Sequence, residues 1–228
     1  PWLRRAGFRV ELLKPRPEEY AHTDRYEYQR RYVDFNIDPG AKVLDVGAGG
    51  YPFPYATLVV DRSPGPTKDR WEPLRTDGKP FLVAELESLP FKDRSFDYVY
   101  CSHVLEHVED PIRAASELMR VAPRGYIETP SFLADALFAW AKGMHKWVVH
   151  SIGNRLIFFE YDERRLDGIR CSVWRDAISS MYHNPLQDVF HNNLDIFTVM
   201  FPWKDAFDVD IYYQDGRVRR SVGGREIR

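Results

Sequence analysis

The stretch "KVLDVGAGGYPFPYATLVVD", Lys42 to Asp61, opens as an apolar run, passes into glycines and reaches a second apolar run that ends in an acid. "KVLDV" has the continuous apolar character of a parallel strand buried on both faces. Gly47, Gly49 and Gly50 follow it. Glycine at such a turn removes the Cβ that would keep the backbone away from a ligand, and it permits positive φ. Asp45 lies inside the strand, where a carboxylate is costly without a partner. The partner would be a ligand's cationic amine or nearby backbone amides. Asp61 ends the second strand, where an acid accepts from two ribose hydroxyls. A G-x-G-x-x-G dinucleotide fingerprint would need glycine where Pro52 stands. Pro52 and Pro54 also exclude a regular helix interior, so the connector between the two strands is short.

The pattern continues outward from this stretch. "FLVAEL" reads as a third strand, "SFDYVYCS" as a fourth and "RGYIETP" as a fifth. "DPIRAASELMRVA" reads as a helix, with Asp110 as its cap and Pro111 in the first turn. Strand and connector alternate, which predicts an α/β fold with a parallel sheet. Glu85, at the end of the third strand, can accept from an exocyclic adenine amine, and the backbone of Leu86 can address the ring edge. "EYAHTDRYEYQRRYVDFNI" predicts a helix before the first strand.

Beyond Pro130 the grammar changes. "SFLADALFAWAKGMHKW" reads as an apolar helix and "RLIFFEYDERRL" as a strand or hairpin. "VWRDAISSMY" reads as helical. "DIFTVMFPW" and "AFDVDIYYQ" read as two strands, paired as an antiparallel hairpin that closes the sheet. The end, "GRVRRSVGGREIR", reads as a flexible basic tail. The expected organisation is one domain: an N-terminal arm and helix (1–37), a cofactor-binding half (38–130), a substrate-side half (131–216) and the tail (217–228).

Composition narrows the classes. The chain has 228 residues, is 44% hydrophobic and carries a net charge of −2, enough for one full core and without a basic field to gather nucleic acid. Its two cysteines, Cys101 and Cys171, are too few for a disulfide framework and predict reduced buried thiols. No apolar run approaches the ~18 residues of a membrane span. The opening residues show no signal-peptide h-region, so the expectation is a cytoplasmic protein without membrane partners.

The segments "VLDVGAGG", "VVD", "AELESLPFKDRSFDYVYCSHVLEHVEDP" and "ELMRVAPRGYIETP" occur in this order. Over about residues 38–130 the chain thereby resembles the class I S-adenosylmethionine-dependent methyltransferases, in particular their small-molecule (type 11-like) branch. The resemblance implies a Rossmann-like, mostly parallel seven-stranded sheet with an antiparallel last strand, here with an aromatic-rich insertion after strand 5. It implies S-adenosyl-L-methionine as cofactor. Asp45 and the backbone of Gly47, Ala48 and Gly49 would serve its methionine part, Asp61 the ribose, and Glu85 and Leu86 the adenine. Ser102 and His103 would form the floor beside the sulfonium. Two features depart from the family. Tyr51 replaces the third glycine of G-x-G-x-G, and "YPFPYA" replaces the first helix. Without that helix N-terminus another group, Arg62 or an N-terminal arginine, would take the cofactor's carboxylate.

The acceptor is less sharply written. Where nucleic-acid amino-methyltransferases resembling this class carry [DN]-P-P-[YF], this chain reads "CSHV", and no Pro-Cys nucleophile occurs. Both facts argue against nucleic acid. His103 and His107 are at i and i+4 and would share a face of a helix, but a metal needs a third ligand, and none is expected. Glu106 reads as solvated or ion-paired. His145 and His150, just past the fifth strand and near Trp140 and Trp147, are the candidate catalytic bases. The leading expectation is methyl transfer to an O or N atom of a small molecule, such as a sugar or nucleotide-linked sugar. The alternatives are an NAD-dependent oxidoreductase and a non-catalytic, methyltransferase-like module that binds the cofactor or a protein.

Overall fold

The computed structural model describes residues 14–18, 25–67, 70, 73–138, 143–162 and 172–227. Trp140, Cys171 and most of the N-terminal arm lie outside them. A helix, α1 (Arg25–Tyr32), leads into strands β1 (Val43–Val46), β2 (Leu58–Asp61), β3 (Phe81–Val83) and β4 (Tyr98–Ser102). Helix α2 (Pro111–Val121) and strand β5 (Arg124–Pro130) follow. Asp110 caps α2 as expected, its carboxylate accepting from the amides of Ile112 (3.1 Å) and Arg113 (3.3 Å). After β5 come α3 (Phe132–Phe138), β6 (Trp147–Ile152), β7 (Arg155–Glu160), α4 (Ser172–Ile178), α5 (Pro185–Asn192) and a single turn, α6 (Leu194–Phe197). Strands β8 (Thr198–Lys204), β9 (Asp208–Tyr212), β10 (Val218–Val222) and β11 (Arg225–Ile227) complete the chain.

The main sheet has the order β3-β2-β1-β4-β5-β8. Neighbouring strands from β3 to β5 pair in parallel, and β8 pairs antiparallel with β5. Strands β1 and β4 are buried along their whole length, as a parallel sheet covered on both faces requires. The two faces follow from strand alternation. Leu44, Val46, Val99, Cys101 and Ile127 meet α2 and the second sheet. Val43, Tyr98, Tyr100 and Tyr126 meet Tyr26, Phe35 and Phe53. Phe53, from the short connector, is fully buried and stacks on Tyr100 with ring centroids 4.0 Å apart. The aromatic connector thus fills the space beside β1 that a helix would otherwise cover.

Three expectations change here. The main sheet has six strands among the described residues, where seven were expected. β8 and β9 do not form a closing hairpin. β8 joins the main sheet, and the chain turns through Asp205 (φ +64°) so that β9 enters a second sheet of order β11-β10-β9-β7-β6. The basic tail is ordered as β10 and β11. Val222 pairs with Arg225 across Gly223 and Gly224, whose φ values of +54° and +82° suit the tight two-residue turn that matches strand twist. No helix among the described residues is long and apolar enough to cross a membrane.

Candidate active site

At the carboxyl ends of β1, β2, β4 and β5 the structure opens into one cavity of about 1000 Å³. The β1 turn forms one wall. Gly47 has φ +74°, and a Cβ there would lie 2.2 Å from Val104 Cγ2, so only glycine lets the β1 and β4 loops approach this closely. Asp61 reaches the cavity from β2 and accepts from the amides of Gly49 (3.3 Å) and Ser63 (3.0 Å). Arg70 pairs with it, Nη1 to Oδ2, at 3.3 Å. Arg62, Ala84, Glu85 and Leu86 continue this wall.

Asp45 does not line the cavity. It faces away, and the Phe53 amide donates to its Oδ2 at 2.7 Å. Of the two partners the strand required, the structure supplies the backbone amide. Burial pushes the Asp45 carboxyl up to about 7, opposed by the Phe53 amide and the Arg25 charge.

Beneath the cavity lies a second carboxylate, Glu128 of β5, fully buried. It accepts from the hydroxyls of Tyr28 and Tyr126, both at 2.5 Å, and from Gln29 Nε2 at 2.9 Å. His103 Nε2 stands 3.2 Å away. α1 therefore docks on β5 through this one acid, and the docking brings Arg25 into the cavity. Arg25 lies over the Tyr51 ring at 5.2 Å, with Nη1 3.5 Å from Ser102 Oγ.

The other end of the cavity is polar. The segment after β4 is a turn, not the helix that would put His103 and His107 on one face; His103 itself has φ +57°. His103 bridges two acids, with Nδ1 3.4 Å from Glu106 and Nε2 toward Glu128. Burial opposes its charge, but the bonds to Glu106 and Glu128 win and raise it to about 9. Glu106, expected to be solvated or ion-paired, is 1% exposed and lies among histidines. Burial would raise its carboxyl, yet the surrounding histidines, His103 first, hold it down to about 2. The Glu106 carbonyl accepts from the amides of Lys146 (2.8 Å) and Trp147 (3.2 Å), which brings His145 to the same place. His145 Nδ1 lies 3.1 Å from Asp135 Oδ1.

Comparison with known proteins places this geometry. A family model described as "Methyltransferase domain" matches residues 44–128. Over this segment the chain is similar to methyltransferases. An uncharacterized methyltransferase of Mycobacterium sp. (strain KMS) is 36% identical over 98 residues, 41% of this chain and 39% of the relative. A demethylmenaquinone methyltransferase of Renibacterium salmoninarum is 36% identical over 94 residues, 38% of this chain and 39% of the relative. The chain thus spans about two fifths of the length of these curated relatives. A chain of the solved complex between the Haloferax volcanii Trm112 methyltransferase activator and its methyltransferase matches 82% of this chain and 91% of its own length, at 15% identity and TM-score 0.50. That likeness is one of fold.

Within the matched segment the cavity gathers Gly47, Ala48, Gly49, Asp61, Arg62, Glu85, Leu86, Ser102 and His103, and His145 joins them from the segment before β6. His150 stays apart. It is exposed on β6, beside Phe132 and Phe159 and outside this cavity, because the strand carries it away from the Glu106 turn. Sequence reasoning asked for an N-terminal arginine without naming Arg25, and it missed Asp135 and the burial of Glu106. It also missed Glu128, although an acid between apolar residues in "YIETP" was a signal of the same kind as Asp45.

Proposed function

We propose that the chain is an S-adenosylmethionine-dependent methyltransferase whose acceptor is an oxygen or nitrogen of a polar small molecule. The observation that carries this is the single cavity joining the Gly47 turn and Asp61 to the polar end around His103, Glu106 and His145. The chain's residues fit the cofactor, since Gly47, Ala48 and Gly49 border the cavity at the β1 turn and Asp61 presents a carboxylate to it from the end of β2. When bound, S-adenosylmethionine supplies an electrophilic methyl group on a sulfonium.

Asp61 would accept from the ribose hydroxyls, with Arg70 moving aside, and Glu85 and Leu86 would meet the adenine. Arg25, an N-terminal arginine as the missing helix required, would take the carboxylate by a charge-assisted pair. Ser102 and His103 would floor the reacting end. Catalysis would come mainly from alignment of the acceptor lone pair with the methyl axis. A hydroxyl acceptor would need a base, and His145 is the candidate base that lines the cavity. Polar groups at that end suit a polyhydroxylated acceptor such as a sugar.

The test is transfer from methyl-labelled S-adenosylmethionine to a panel of sugars, catechols and amines. Labelled product with wild type, reduced at least tenfold by Arg25→Gln, supports the reading. Cofactor binding without transfer to any acceptor would leave the domain a binding module.

A further inference from the structure

Glu106, His107 and His145 each offer one ligand atom, and these atoms lie within 4.8 Å of one another on the wall of the cavity. We propose that the three form a binding site for a divalent first-row transition-metal cation. The carboxylate is the strongest evidence. Glu106 is 1% exposed, and neither of its oxygens meets a hydrogen-bond donor in good geometry among the described residues. A buried carboxylate is costly unless paired, and the groups around this one are histidine rings rather than an arginine or lysine, so it has capacity left for a metal cation. The His103 ring at 3.4 Å offers a share of positive charge.

His107 is oriented as a ligand is, and His145 lies beside a carboxylate that can orient it. His107 Nδ1 faces the Met144 carbonyl at 3.1 Å, which can only accept, so Nδ1 carries the proton and Nε2 the lone pair. That Nε2 is 3.9 Å from Glu106 Oε1. His145 Nδ1 stands 3.1 Å from Asp135 Oδ1, close but outside hydrogen-bond geometry, so a small ring rotation would give Nδ1 to the carboxylate and leave Nε2 for the ion. A carbonyl and a carboxylate behind two histidines are the outer partners that metal-ligating histidines use. The rings stand edge to face, with centroids 4.8 Å apart. Closing the three ligand atoms to about 2.0–2.1 Å from one ion needs side-chain motion of order 1 Å. Two imidazoles and one carboxylate suit Zn²⁺, Fe²⁺, Co²⁺ or Mn²⁺ better than Ca²⁺. Because the group lines the cavity, further coordination positions face the acceptor. There the ion would bind an acceptor oxygen and favour its alkoxide; that role rests on the methyl-transfer reading, whereas the site itself rests only on these residues.

Co²⁺ tests this without turnover, because its visible absorption reports the ligands directly. The chelator-treated chain is titrated with Co²⁺ alone and, separately, with Zn²⁺ by calorimetry. The expected result is one ion per chain, with visible bands in wild type. Binding should weaken at least tenfold in Glu106→Gln and in His145→Ala, and stay unchanged in His150→Ala. Asp135→Asn should weaken it about tenfold through His145. If Glu106→Gln does not fold, His145→Ala and Asp135→Asn still decide the matter. Absence of bands and heat in wild type overturns the proposal, as does identical binding in wild type and His145→Ala. Success with the metal and failure of methyl transfer would be told apart, since neither metal titration uses the cofactor.

Discussion

Gly47 has room for a hydrogen and nothing more. An added methyl would meet Val104 at 2.2 Å on a backbone already at φ +74°. Gly47→Ala is therefore expected to cost about 1–3 kcal/mol, by urea denaturation, and to weaken cofactor binding. Asp45 gives a prediction in pH. Its folded value of about 7 lies above the ordinary 3.8, so the folded state holds the proton more tightly than the unfolded chain. Its contribution to stability is greatest below pH 4 and is lost as pH rises through 7. The melting temperature of wild type relative to Asp45→Asn should fall between pH 5 and pH 8; a constant difference would show that Asp45 does not titrate there. At this scale the acids at strand ends were legible, because a buried carboxylate announces a need. Which atom meets that need was not: Phe53 satisfies Asp45 from a connector whose path no local pattern specifies.

The connector between β1 and β2 shows what a missing helix leaves to be done. Its prolines said that no helix forms there. They did not say that Phe53 would fill the gap, stacked on Tyr100 and edge-on to Phe35 at 5.1 Å. Phe53→Ala should cost about 3–5 kcal/mol, and a loss below 1 kcal/mol would show that the connector is not part of the core. The C-terminal hairpin was misread because Gly-Gly and arginines suit a solvated tail as well as a turn. Contacts distant in sequence decide between them. Arg219 pairs with Asp110 at 3.0 Å, and Ser116 donates to the Gly224 carbonyl at 2.8 Å. A chain truncated after Asp215 should lose several degrees of melting temperature, whereas removal of a flexible tail would change nothing.

Across the whole molecule, the α/β order and the parallel sheet followed from alternating strands and connectors, and the family model matches within that part of the chain, at residues 44–128. The second sheet was not legible, since strand alternation does not say which sheet a strand joins. That sheet matters to the site: the pairing of β6 with the Glu106 turn carries His145 into the cavity. Arg25 arrives by a comparable route, because α1 is seated on Glu128. The cavity is thus assembled from distant segments around the one wall that the first strands encode. The most direct measurement is calorimetric titration of S-adenosylhomocysteine into wild type and Asp61→Ala, with NAD run beside it. The account predicts one site in wild type, binding about 10–100-fold weaker in Asp61→Ala, and no heat with NAD. No binding by wild type, or equal binding by both proteins, would contradict it.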